Sequence, residues 1–176
     1  MALELRRPCA ELAISFAAMR DAYARAGEDP WSPANNLRAT AIAHTDVLAY
    51  IDLLEHWARG ERLPEGWVPS EEFWIVNDGT VVGAITVRPT LNEWLQKVGG
   101  HIGYDVHPEH RNQGIATFAL REALKFLASR SVTEALVTCR DDNAPSARVI
   151  EKCGGRRIGD SPVRKPKRRR YMLFTG

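Results

Sequence analysis

A chain of 176 residues, 44% hydrophobic and 26% charged, is long enough for one compact domain with its own core and has the composition of an ordinary soluble globular protein. The net charge of +2 is unevenly placed: residues 156–170 hold eight Lys/Arg against one Asp, a balance of +7 that leaves −5 for the rest. Three cysteines without CxxC spacing (Cys9, Cys139 and Cys153) argue against a disulfide framework and a zinc site.

No window is apolar enough to cross a bilayer, and the charged first residues have no signal-peptide core. The expectation is one domain over residues 1–176, located in the cytoplasm and not in a membrane.

Residues 9–27 predict a helix, with Leu12, Phe16, Met19 and Tyr23 at helical spacing. Residues 33–60 predict further helix, striped by Val47, Tyr50, Ile51, Leu54 and Trp57. Two β-rich runs, Phe73–Val76 and Val81–Val87, flank Asn77-Asp78-Gly79 and predict a hairpin. Thr90–Val98 reads as a short amphipathic connector. HIGYDV, residues 101–106, reads as a strand that Pro108 ends.

"HRNQGIA", residues 110–116, follows. The helix after it is striped by Ala116, Ala119, Leu120, Ala123, Leu124 and Leu127. EALVTCR, residues 134–140, has the apolar run of a buried strand. Asn143 and Pro145 mark the start of a helix that stops at Gly154-Gly155. Two short strands, near Arg156–Ile158 and Arg169–Phe174, close the chain. The order predicts an α/β fold with a mixed sheet.

A strand that runs into a helix leaves backbone N–H groups unpaired at the helix start, where the helix dipole also favours an anion. Gly114 lets a ligand approach the backbone, and Arg111 adds a permanent cation. The stretch does not fit GxGxxG and lacks the Gly-Lys-Ser/Thr ending of a P-loop. His101, His107 and His110 lie close in sequence but do not read as a metal site.

With "DDNAPSARVIEKCGG", residues 141–155, "HRNQGIA" resembles the GNAT superfamily of CoA-dependent N-acetyltransferases. Arg111, Gly114 and Ala116 match its pyrophosphate motif. Asn143, Ser146, Val149, Glu151, Lys152 and Gly154 match its second motif. The resemblance covers residues 71–158 well and the N-terminal helices loosely.

The resemblance implies a mixed, mostly antiparallel sheet with helices on both faces and a splayed strand pair for CoA. It implies acetyl-CoA as cosubstrate, no metal, and a primary amine of a small molecule or peptide as acceptor. Val106 and the segment Arg111, Asn112, Gln113, Gly114, Ile115 and Ala116 would bind the cofactor, together with Asn143. Asn143, Ser146 and Asp105 are the candidate catalytic residues. Tyr104 and Glu93 are further candidates for contact with substrate or a proton, and Trp31, Trp67 and Trp94 for walling the acceptor site.

Many members carry a Tyr at the position of Ile150, as the acid for the leaving thiolate. Its replacement keeps a second reading open, a non-catalytic CoA-binding sensor. The basic run at 164–174 keeps a third open, an RNA- or ribosome-associated module. No base-stacking aromatics are interleaved with its charges, so nucleic acid is not favoured, and a hairpin loop leading into the last strand, with solvated charges, is expected instead. A homodimer is left open.

Overall fold

A computed structural model describes residues 2–28, 45–163 and 167–176. The helical expectation over residues 33–44 and Trp31 lie outside the described residues. The first strand, β1 (Leu3–Arg6), is not among the sequence expectations; its four residues are too short a run to show alternation. A 3-10 turn at Ala10–Leu12 then leads into α1 (Ala13–Arg25). The second helix, α2 (Val47–Ala58), is capped by Asp46, whose carboxylate accepts the Ala49 N–H at 3.0 Å.

The predicted hairpin forms as β2 (Glu71–Asn77) and β3 (Thr80–Val87) around Asp78-Gly79. The connector after it ends in a π-helical turn, Leu95–Gly99. Next come β4 (Ile102–Val106), a 3-10 turn at Pro108–His110, α3 (Ile115–Ser129) and β5 (Glu134–Arg140). The chain closes with α4 (Ala144–Lys152), β6 (Arg156–Asp160) and β7 (Arg168–Phe174).

The seven strands form one sheet in the order β1-β2-β3-β4-β5-β7-β6. Every neighbouring pair is antiparallel except β4 and β5. The mixed, mostly antiparallel architecture expected above is therefore the one observed. The last strand does not close the edge; β7 runs inside, between β5 and β6.

Two apolar layers hold the sheet. On one face Ile115, Ala119, Leu120, Ala123, Leu124 and Leu127 of α3, with Ala147 and Ile150 of α4, pack on β3, β4, β5 and β7. On the other, α1 and α2 cover Trp74, Val76, Val81 and Ala84 of β2 and β3. Here Phe16 stacks on Trp74, ring centroids 4.4 Å apart.

The last strand begins inside the basic run, one residue earlier than expected. Residues 164–166 lie outside the described residues, but Arg168, Arg169 and Arg170 belong to β7 itself. Arg169 pairs with Asp141 at 2.9 Å, and Lys167 reaches both Asp141 and Asp160. Strand alternation turns Arg168 and Arg170 to one face of the sheet and Arg169 to the other, and all three are half-buried rather than fully solvated.

Candidate active site

The site begins with a break in the sheet. Strands β4 and β5 pair in parallel at Ile102↔Val137 and diverge beyond it. His101 N–H donates to the Leu136 carbonyl at 2.7 Å, just before the divergence. Gly100 permits this approach: its φ is +80°, and a Cβ there would stand 2.4 Å from the Leu136 oxygen.

Along β4 the backbone alternates. Arg88 N–H donates to the His101 carbonyl and His107 N–H to the Val82 carbonyl, so within β4 the odd positions 103 and 105 turn their polar groups to β3, while the His101 N–H just before the strand turns to β5. The groups of Tyr104 and Val106 therefore face β5 across the gap. The Val106 carbonyl accepts from Arg111 Nε at 3.1 Å.

At the wide end of the gap lies the start of α3. Asn112 and Gly114 both have positive φ, +62° and +82°. That turns the chain so that, among the described residues, the N–H groups of Asn112, Gln113, Gly114, Ile115 and Ala116 meet no acceptor. A Cβ on Gly114 would meet nothing within 4 Å, so the space above it is open. Asn112, Gln113 and Gly114 are exposed, Ala116 is half-buried, and Ile115 anchors the turn in the core. Concentrated N–H donors at a helix start make a seat for an anion.

The Arg111 side chain points elsewhere. Its guanidinium holds Glu28 through two contacts, 2.9 and 2.5 Å. The Glu28 partnership raises the Arg111 pKa and lowers that of Glu28.

The second motif stands on the opposite lip. Asn143 caps α4, its side-chain oxygen accepting the Ser146 N–H at 3.0 Å. Its amide nitrogen meets no acceptor among the described residues and remains available. Ser146 Oγ lies 2.9 Å from the Tyr104 hydroxyl, so β4 and α4 are bridged across the gap. Burial raises the Tyr104 pKa, which keeps that phenol protonated. Ile150 is fully buried against the core and offers the gap no polar group.

The other expected residues scatter. Asp105 is exposed on the face of β4 toward α1, away from Ser146. Glu93 pairs loosely with Lys97 at 3.8 Å. Trp67 packs against Trp57, whereas Trp94 is exposed. His107 and His110 stack edge to face at 5.0 Å. Sequence reasoning did not find Glu28, nor the pairing of Tyr104 with Ser146. Only the alternation of β7 could have shown that Arg168 and Arg170 share one face with Met172.

Among the described residues, no three His, Cys, Asp or Glu side chains are grouped to hold a metal, and no helix is long and apolar enough to cross a membrane.

Comparison with known proteins returns one family. The profile of the acetyltransferase (GNAT) family matches residues 18–155. Curated sequences return no match. Among solved structures, the chain is similar to Mycobacterium smegmatis RimJ in complex with CoA-disulfide (TM-score 0.72, 23% identity, covering 98% of this chain and 81% of that one). It is also similar to the ribosomal-protein-S5-alanine acetyltransferase of Vibrio fischeri (0.67, 16%, 98% and 92%). A third is YncA of Salmonella typhimurium with acetyl-CoA (0.63, 13%, 100% and 95%). At these identities the likeness is one of fold.

Proposed function

Since the chain belongs to the GNAT family of acetyltransferases, we propose that the gap between β4 and β5 holds acetyl-CoA and passes its acetyl group to a primary amine of a small molecule or peptide. The observation that carries this reading is the pairing of an open strand gap with unpaired N–H groups at its wide end.

Acetyl-CoA supplies an activated acyl thioester. The N–H groups from Asn112 to Ala116 would hold its diphosphate, with Arg111 exchanging Glu28 for phosphate oxygen. The polar groups of Tyr104 and Val106 would hydrogen-bond the pantetheine arm as an added strand. The free Asn143 amide nitrogen would donate to the same arm. A strand N–H on the gap side would stabilise the oxyanion formed as the neutral amine attacks.

Ile150 leaves the usual acid position empty of any proton donor. Ser146 takes that role in our reading. With Tyr104 donating to Ser146 Oγ, the serine proton is free for the departing thiolate. A thiol with a pKa of about 8.5 needs only modest help at neutral pH. The acceptor amine must arrive unprotonated, and Asp105 is the nearest exposed carboxylate of β4 for that purpose. A cytoplasmic location fits this donor. The exposed Ile158 and Phe174 on β6 and β7 offer apolar surface that a homodimer would cover.

The test is thiol release from acetyl-CoA over a panel of amines, amino acids and peptides. The expected result is amine-dependent release that Ser146→Ala slows about tenfold in kcat, with little change in the KM for acetyl-CoA. CoA binding without turnover on any amine would favour the sensor reading instead.

A further inference from the structure

Beyond the narrow end of the gap lies an open cavity of about 380 Å³, lined by Leu91, Gln96, His101, Leu136, Arg170 and Met172. His101 and Leu136 flank Ile102↔Val137, the point where the two strands meet. An acceptor in this cavity would therefore stand next to the thioester end of the gap. Helices α1 and α2 cover β2 and β3 on this face, whereas β5 is met there by the short π-helical turn Leu95–Gly99, whose Val98 carbonyl accepts from Thr138 at 2.8 Å.

One arginine, Arg170, lines the cavity, Arg88 and Arg168 lie near it, and among the described residues none of the three forms an ion pair. One Arg170 Nη donates to the Gln96 carbonyl at 3.1 Å, and Arg170 Nε is buried with no acceptor. His101 Nδ1 accepts the Leu136 N–H at 2.9 Å, which leaves the ring proton on Nε2 as a donor. Arg88 stands beside it, with Nη1 3.9 Å from where a Cβ on Gly103 would be. Burial pushes its pKa down to about 10, so it is still a cation at neutral pH. The Glu72 carboxylate acts on Arg88 through its charge, but its oxygens accept from Tyr50 and Trp74, and no ion pair with Arg88 forms among the described residues. Among the described residues Arg168 donates to Thr138, at 3.3 Å, and meets no carboxylate.

Arginines nearby on the outer surface behave differently. Arg140, Arg157 and Arg169 each hold an aspartate. Charges sheltered on a sheet face are costly unless paired with an opposite charge, and these are the ones that form no ion pair among the described residues. A carboxylate bound there would meet the Arg170 guanidinium that lines the cavity, the His101 Nε2 proton and the local positive potential together.

We infer that the acetyl acceptor carries a carboxylate near its amine, and that Arg170 and His101 hold that carboxylate in this cavity. This rests on the acetyl transfer proposed above. Arg170 is then a specificity residue, acting on acceptor choice through binding. A site built to pair with a charged group rejects the neutral isostere strongly.

The experiment compares initial rates of acetyl transfer in two arms. One uses free glutamate against its diamide. The other uses C-terminally amidated peptides, Ser-Asp-Ala against Ser-Asn-Ala, so that only the side chain carries the carboxylate. At least one arm should show kcat/KM for the acid tenfold or more above its neutral partner; which arm does so distinguishes an α-carboxylate from a side-chain carboxylate. Arg170→Gln should collapse that ratio toward one, mainly through KM for the acceptor, and Arg170→Lys should recover part of it. Equal rates for acid and neutral partner in both arms, or no transfer to either acid, overturn the inference from the unaltered protein alone. So does a ratio unchanged in Arg170→Gln. Calorimetric titration of the unaltered protein with acetyl-CoA separates the two levels: no binding sinks the proposed function, whereas binding without acid preference sinks only this step.

Discussion

Arg111 and Glu28 form a two-point ion pair between residues 83 apart in sequence, and the same guanidinium also binds the Val106 carbonyl. The carboxylate thus occupies the cation that a diphosphate would use. Both side chains are 42% exposed, so the pair contributes at most about 1 kcal/mol to stability. Its larger effect is competition. Glu28→Gln should lower the KM for acetyl-CoA about twofold to fivefold, and Arg111→Ala should raise it about tenfold. Steady-state kinetics with acetyl-CoA as the varied substrate checks both; unchanged KM in the two variants removes Arg111 from the site.

Glu72 predicts a pH effect on stability. Its carboxyl is buried beneath α2 and accepts from the Tyr50 hydroxyl at 2.9 Å and Trp74 Nε1 at 3.1 Å. Burial pushes its pKa up to about 7 from 4.5, although both hydrogen bonds and Arg88 oppose the rise. The native state therefore holds this proton to higher pH than the unfolded chain does. Stability from this group is complete below about pH 4.5 and is lost as the pH rises through 7, by about 3 kcal/mol at most. Glu72→Gln should remove that slope, raising stability at pH 8 by about 1–3 kcal/mol and leaving it nearly unchanged at pH 4. Urea unfolding at the two pH values is the measurement, and an equal loss at both would refute the claim.

Much of the scaffold was legible because it is written in local periodicity. The stripe from Ala119 to Leu127 marks α3, the Asp78-Gly79 turn marks the hairpin, and Asn143 with Pro145 marks the start of α4. Each signal spans a few residues. What was not legible depends on pairs far apart in the chain: Glu28 with Arg111, and Tyr104 with Ser146, 42 residues away. Periodicity also cannot rank strands within a sheet, so two closing strands gave no hint that β7 would lie inside β6. In β7 the arginine run concealed the alternation, because every position from 168 to 170 is the same residue type.

Gly100 should be more sensitive than Gly114, though both have φ near +80°. A methyl group at 114 enters open space and incurs only the backbone cost, about 1 kcal/mol. At 100 it meets the Leu136 carbonyl at the point where β4 touches β5. Gly100→Ala should therefore cost about 3 kcal/mol and disturb both gap and cavity. Comparing the denaturation midpoints of the two alanine variants checks the order; equal losses would show that the contact at 100 relaxes freely.

The inside position of β7 has a further consequence for biogenesis. While the chain is being made, β5 touches the first half of the sheet at Ile102↔Val137, and its other edge waits for residues 168–174. Until those residues emerge, the apolar run Ala135-Leu136-Val137 presents an unpaired edge, the kind of surface on which nascent chains associate. The sheet is in this sense completed late: a ribosome must deliver β7 before β5 has a strand on its far side.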